Sequence, residues 1–259
     1  MKHVTFDLEI TKEIPEGEDD WKTHRPLGIS CAATLTSSGE TRLWHGSLPG
    51  GAIFDSVMLP ARMTSEECQD LAFYLCAMYG KGFRVVTFNG LGFDLDVLQE
   101  ECGGGEWLDS CRILALDHID MAFQMLCQRG FMVGLAAMAD GLGLAGKTEG
   151  MSGALAPKMW AESRKAQNEV LEYVAQDART TAETYEALLA QKKLWWMTKR
   201  GTRTRSPWEP IILKDGDDAR LLTVAEALML PEPDVSWMDD PWPRSKFMGW
   251  TEDNDVNTA

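Results

Sequence analysis

The chain has no apolar run approaching the roughly 20 residues a membrane-spanning helix needs. Its opening MKHVTFDLEI also lacks the apolar stretch and small-residue cleavage site of a signal peptide. A cytoplasmic protein with no membrane partner is the expectation. No CxxC spacing occurs among the six cysteines, Cys31, Cys68, Cys76, Cys102, Cys111 and Cys127. That argues against a zinc cluster or disulfide framework and for buried, reduced thiols. Histidine is scarce, and His3, His24, His45 and His118 share no ligand spacing. Positive charge is short as well: 25 Lys and Arg against 40 Asp and Glu give a net charge of −15. This opposes indiscriminate binding to long duplexes, because phosphate contacts need Lys and Arg. It leaves open a site that takes one strand end, since carboxylates bound to a divalent metal present the metal's charge to a substrate. Much of the acid lies in Glu13 to Asp20 and Asp215 to Asp255, which read as solvated surface.

What is present is enough for a sizeable core, with 259 residues of which 44% are hydrophobic. Val4, Phe6, Leu8 and Ile10 alternate with Thr5, Asp7 and Glu9, which predicts a strand with one apolar and one acidic face. Residues 28–36 and 41–46 read as two strands joined by the turn SSGE. Thr64-Ser65-Glu66-Glu67 reads as a capping box opening a helix through about Met78. FRVVTF (83–88) is a short buried strand, broken by NGLG before a helix starts at FDLDVLQEE. From Trp107 to Leu144 the pattern is helical, with a short strand around His118-Ile119-Asp120. A long helix is expected from about Ala161 to Leu194, striped by Val170, Val174, Ala178, Thr181, Tyr185 and Leu188. After Trp196 the chain turns basic, then rich in Pro, Trp and Asp, with one short helix at TVAEALML. The boundary is placed near residue 195, giving units 1–194 and 195–259.

GLGLAGKT, Gly141 to Thr148, fits the pattern of a nucleotide-binding P-loop. Such a loop needs a strand before it and a helix after it. Here the preceding GLAAMAD favours helix, and Gly150, Gly153 and Pro157 prevent a helix from starting on the lysine. The phosphates would lack a helix N-terminus. A helix end followed by a connector is the simpler reading, with Lys147 left as a lone cation in reach of a substrate phosphate.

Three places carry the acidic signal. Asp7 and Glu9 lie two apart on a strand, so both side chains leave one face; a shared cation would relieve their repulsion, although an ordinary solvent-facing strand looks the same. Asp94 falls in the first turn of a helix, where acid also suits the helix dipole, and Asp96 competes with it for any metal role. Tyr173 and Asp177 lie four apart on a helix and share a face, beside the apolar stripe.

The ordered set resembles the DEDD superfamily of 3′–5′ exonucleases, which has the ribonuclease H-like fold. Its first motif, D-x-E, is matched by Asp7-Leu8-Glu9. Its second, an Asn shortly before Phe-Asp, is matched by Asn89 and Phe93-Asp94. The Y-x-x-x-D motif of its DEDDy branch is matched by Tyr173 and Asp177. The sister branch has His five positions before the last Asp, where this chain has Glu172. The resemblance covers roughly residues 1–192, and LAAMADGLGLAGK resembles the helix between the second and third motifs. It implies an α/β fold with a mixed sheet flanked by helices. It implies two divalent cations, Mg²⁺ or Mn²⁺, held by Asp7, Glu9, Asp94 and Asp177, and a Tyr173 hydroxyl that orients the attacking water. Asn89 and Phe93 resemble substrate-positioning residues, although a core Phe and a loop-bracing Asn fit equally. Asp120 resembles a position near the second motif that is not a metal ligand. The implied activity is release of 5′-mononucleotides from the 3′ ends of single-stranded DNA or RNA.

The segment after the catalytic unit combines Trp195, Trp196, Lys199, Arg200, Arg203 and Arg205. Such a mixture suits single strands, with Arg200 and Arg203 as candidate contacts; a Trp pair closing the core before a solvated basic turn is the other reading. Trp208, Trp237, Trp242 and Trp250 are expected to pin the tail onto the domain. Two other functions compete with the exonuclease: a catalytically silent nucleic-acid-binding module of the same fold, and a P-loop nucleotide hydrolase.

Overall fold

The structure, a computed structural model, describes residues 1–15, 18, 20–48, 57–144, 151–198 and 200–251. Its centre is a five-stranded sheet in the order β3-β2-β1-β4-β5, built from β1 (His3–Ile10), β2 (Ile29–Thr36), β3 (Thr41–His45), β4 (Arg84–Thr87) and β5 (Ile119–Asp120). β2 runs antiparallel to both β1 and β3, while β4 is parallel to β1 and to β5. This is a mixed α/β architecture with helices on both faces.

The alternation of β1 sorts the two faces. Val4, Phe6, Leu8 and Ile10 join a core with Leu71 and Leu75 of α1 (Ser65–Gly80), Leu95 and Leu98 of α2 (Asp94–Glu101), and Leu114 of α3 (Glu106–Asp117). On the other face lies α7 (Arg164–Gln191), whose Val170, Val174 and Ala178 pack on Cys31 and Ala33 of β2. Cys31 and Ala33 pair with Glu9 and Asp7, so the two acids share the face that α7 covers. A hydrogen bond from Thr5 Oγ1 to the carbonyl of Ala178 (2.9 Å) fixes α7 against β1.

Local chemistry sets the element ends. Thr64 and Glu67 form the expected capping box on α1. The helical stretch after β4 divides into α2, α3, α4 (Met121–Arg129) and α5 (Leu135–Gly141), with the short β5 where it was expected. The predicted helix from Ala161 to Leu194 is two helices: α6 (Ala156–Glu162) and α7. They break at Ser163, whose extended backbone lets its hydroxyl cap α7 by accepting from Ala166 N. The stripe was right, since every one of its six residues is buried.

Beyond α7 the chain forms a hairpin, β6 (Ile212–Asp215) and β7 (Asp218–Leu221), then α8 (Val224–Leu228) and α9 (Ser245–Met248). Only α8 matches an expectation, the short helix at TVAEALML, and Thr223 and Glu226 form a capping box at its start. The tail is tied to the rest: Leu222 N donates to Gln124, Val224 N to the His118 carbonyl, and Trp250 Nε1 to the Leu91 carbonyl. Of the tryptophans expected to pin it, Trp208 and Trp250 are buried. Trp237 and Trp242 are not, at 65% and 44% exposure. No helix among the described residues is long and apolar enough to cross a membrane. All six cysteines are free thiols, five of them buried.

Candidate active site

A cleft of about 1060 Å³ opens where the ends of β1 and β4 meet α7. β1 brings Asp7 and Glu9 to its wall. The parallel ladder between β1 and β4 ends at the Thr5–Val86 pair, and the Leu8 N–H beyond it donates instead to Asp94 Oδ1 at 3.1 Å. That bond places Asp94 against the strand segment bearing Asp7 and Glu9. Asp94 can reach there because α2 begins at Asp94, directly after a sharp turn.

The turn is held from outside. Asn89 adopts a left-handed backbone, φ 68°, and its N–H donates to Asp120 Oδ1 at 2.9 Å. Leu91 N donates to Asp120 Oδ2 and Phe123 N to Oδ1, at 3.0 and 3.1 Å. Asp120 is thus the brace of this loop and the N-cap of α4. Gly90 is required by space, because a Cβ there would stand 2.4 Å from Thr87 Oγ1.

α7 supplies the last two groups. Tyr173 and Asp177 sit one turn apart and both line the cleft with Asp7, Glu9 and Asp94, and the Tyr173 hydroxyl hydrogen-bonds the Asp177 carboxylate. Burial pushes the Asp94 carboxyl up to about 7; the Leu8 N–H opposes the rise, and Asp120 and Asp177 add to it. Burial, followed by the charges of Asp177 and Glu9, raises the Tyr173 hydroxyl well above its ordinary value, so it stays a donor near neutrality. The Cys31 thiol beneath is raised by burial and then by Glu9.

The donor set is all carboxylate, which suits Mg²⁺ or Mn²⁺. A carboxyl raised chiefly by burial, with acidic neighbours adding to the rise, is one that a divalent cation would hold ionised. The chemistry therefore fits such ions. Among the described residues no group of three or more His, Cys, Asp or Glu is already drawn together as an ion site.

Asn89 and Phe93 line the same cleft. Lys147 lies outside the described residues, as does the second half of the GLGLAGKT segment; its first residue, Gly141, is the last of α5, so a helix and not a strand leads into it. Arg200 and Arg203 are not on the cleft. Arg203 lies over Trp195, 4.5 Å from its ring centroid. Asp96, the rival of Asp94, is fully buried and holds Arg25 at 2.6 Å and Lys22 at 3.1 Å. Those cations flank Trp21, which meets Phe93 edge-on at 5.0 Å. Sequence reading missed Trp21, Phe88 and Phe131 as cleft residues. Trp21 stands in an acidic loop with no periodicity to mark it.

The model of the RNase H superfamily matches residues 57–189, just over half of the chain. The chain belongs to the RNase H superfamily. Its sheet order and flanking helices are those of an RNase H-like fold. No curated protein matches the sequence. Among solved structures, a family B DNA polymerase from the hyperthermophilic archaeon Pyrobaculum calidifontis aligns over 73% of this chain at 16% identity and a TM-score of 0.48. This RNase H superfamily chain covers 24% of that polymerase's length.

Proposed function

We propose that the protein is a metal-dependent 3′–5′ exonuclease of the DEDDy branch, acting on single-stranded DNA or RNA. Residues 1–194 would form the catalytic unit and residues 195–259 an extension packed on it. The observation that supports this reading is the convergence of Asp7, Glu9, Asp94, Tyr173 and Asp177, from three distant stretches of sequence, on one cleft.

Asp7, Glu9, Asp94 and Asp177 would hold two divalent cations, which when bound stabilise both the attacking and the leaving oxygen of an in-line displacement. Tyr173 keeps its proton at neutral pH, so its hydroxyl orients the attacking water and does not act as base. Asn89 and Phe93 position the terminal nucleotide. A P–O bond forms from the water oxygen. The bond from phosphorus to the neighbouring 3′ oxygen breaks, that oxygen takes up a proton, and a 5′-mononucleotide leaves.

The test is 5′-labelled single-stranded DNA and RNA with Mg²⁺ or Mn²⁺. A ladder shortening from the 3′ end, abolished by chelator and by Asp177→Ala, supports the proposal. Binding without shortening identifies a catalytically silent module instead. ATP turnover lost in Lys147→Ala, with no shortening, identifies a nucleotide hydrolase.

A further inference from the structure

We infer that the extension beyond residue 195 is part of the scaffold of the site: Trp250 and Phe247 are positioning residues that hold the 89–93 loop, and through it Asp94. The inference rests on the exonuclease reading for the role of Asp94 as a metal ligand. It ties to that role two residues that do not themselves line the cleft.

Asp94 depends on its neighbours for its position. It is the first residue of α2, and Phe93 before it makes no side-chain capping bond. The turn that delivers it passes through Asn89, whose left-handed backbone is uncommon for a residue with a side chain. Asp120 holds one side of this turn, accepting from the Asn89 and Leu91 amides.

The extension holds the other side. Trp250 Nε1 donates to the Leu91 carbonyl at 2.9 Å, a buried bond between residues 159 positions apart. Leu91 is thus tied at both of its backbone polar groups, its N–H by Asp120 and its C=O by Trp250. Phe247 lies against Gly92, where a Cβ would stand 2.5 Å from its Cδ1. Both rings are buried in the core that contains Leu91 and Leu95. The two rings are in turn anchored to the body of the fold. Arg112 of α3 donates to the Trp250 carbonyl at 3.2 Å. Phe123, whose N–H bonds Asp120, meets Phe247 edge-on at 6.1 Å. Just before α9, the Arg244 guanidinium donates to the carbonyls of Cys127, Leu228, Leu230 and Pro231, which ties the start of α9 to α4 and to the end of α8.

A bond made by the extension therefore reaches the cleft. If the Leu91 carbonyl loses its donor, a buried acceptor is stranded unless the loop shifts to find water, and that shift moves the turn that precedes Asp94. Partners that orient a metal ligand from outside typically govern about 10- to 100-fold in metal affinity.

The experiment uses the full chain with three single substitutions. Trp250→Phe removes the donor and keeps most of the ring. Phe247→Leu changes the surface against Gly92. Trp208→Phe is the control, because Trp208 is equally buried in the same extension and its Nε1 donates to Gln128 at 3.1 Å, away from the loop. Two readouts are taken on chains that are folded by circular dichroism. Amide exchange without metal, followed by NMR, reports on Leu91 and on Leu8, whose N–H donates to Asp94. Electron spin resonance of the free ion gives the Mn²⁺ affinity. In Trp250→Phe both amides should exchange at least about 5-fold faster, with the amides of β2 unchanged, and Mn²⁺ should bind about 10-fold more weakly. Phe247→Leu should move both readouts in the same direction, and Trp208→Phe should move neither. Should Trp250→Phe not fold, Phe247→Leu decides by the same readouts. Wild-type exchange and affinity in the loop variants, faster exchange with unchanged Mn²⁺ affinity, or an equal effect of Trp208→Phe would each overturn the inference and leave the exonuclease reading intact. A wild-type chain that binds no Mn²⁺ would sink that reading, and the placement of Asp94 by the extension would then stand or fall on Leu8 exchange alone.

Discussion

Removing the Asp120 carboxylate should unhinge the loop that presents Asn89 and Asp94, although Asp120 itself does not line the cleft. The side chain is buried and accepts from three backbone amides, those of Asn89, Leu91 and Phe123, at 2.9, 3.0 and 3.1 Å. Asp120→Ala leaves those donors without their acceptor. Each stranded amide costs about 1–3 kcal/mol, so the sum is about 3–9 kcal/mol, a large part of the roughly 5–15 kcal/mol a domain possesses. Asp120→Asn retains one carbonyl oxygen, which can keep the Oδ1 bonds to Asn89 and Phe123, and loses the bond to Leu91. Its expected cost is about 1–3 kcal/mol. Urea unfolding followed by circular dichroism measures both, provided the slope m is unchanged. Turnover should then be compared at a temperature where both variants are folded. A cost below about 1 kcal/mol for Asp120→Ala, or Asp120→Asn no better than Asp120→Ala, would refute the bracing argument.

Three further outcomes are expected. Asp177→Asn should lower metal-dependent strand shortening by at least about 10²-fold while the urea midpoint shows an intact fold; retained turnover would remove Asp177 from the site. Gly141→Ala should cost about 1–3 kcal/mol, because its Cβ would stand 2.0 Å from the Trp195 carbonyl oxygen; an unchanged melting temperature would contradict that packing. Glu226, bound by Arg220 through bonds of 2.6 and 2.8 Å, has its carboxyl lowered from 4.5 to about 2, chiefly by that pairing. The stability it contributes is therefore full above about 4.5 and is lost as pH falls through about 2. Partial exposure limits the loss to under about 1 kcal/mol, and Arg220→Gln should remove most of it in urea titrations at the two ends of that range, with the Thr223 N–H still bonding Glu226.

The parts of this fold that could be read from sequence are those governed by local rules. Alternation along residues 3–10 marked both the strand and its acidic face, and the Thr64 capping box marked the start of α1. A mixed sheet flanked by helices was implied by the resemblance of the ordered acids to the DEDD superfamily, and the structure gives that sheet five strands. What was missed either carries no mark in the local pattern or depends on contacts distant in sequence. Ser163 breaks a continuous helical pattern with no Pro or Gly to warn of it. The β6–β7 hairpin lies in polar sequence whose outer residues are exposed. Nothing local distinguishes the buried Trp208 and Trp250 from the exposed Trp237 and Trp242. Asp96 and Asp94 look alike in sequence, and only the position of Arg25 and Lys22 separates an ion-paired brace from a cleft acid.

A crystal soaked in Mn²⁺ tests most directly whether the cleft acids are metal ligands. The anomalous difference map should show two peaks roughly 3.5–4 Å apart, bounded by Asp7, Glu9, Asp94 and Asp177, and both should vanish in Asp94→Ala. Manganese bound elsewhere, with these four carboxylates bare at saturating metal, would contradict the account.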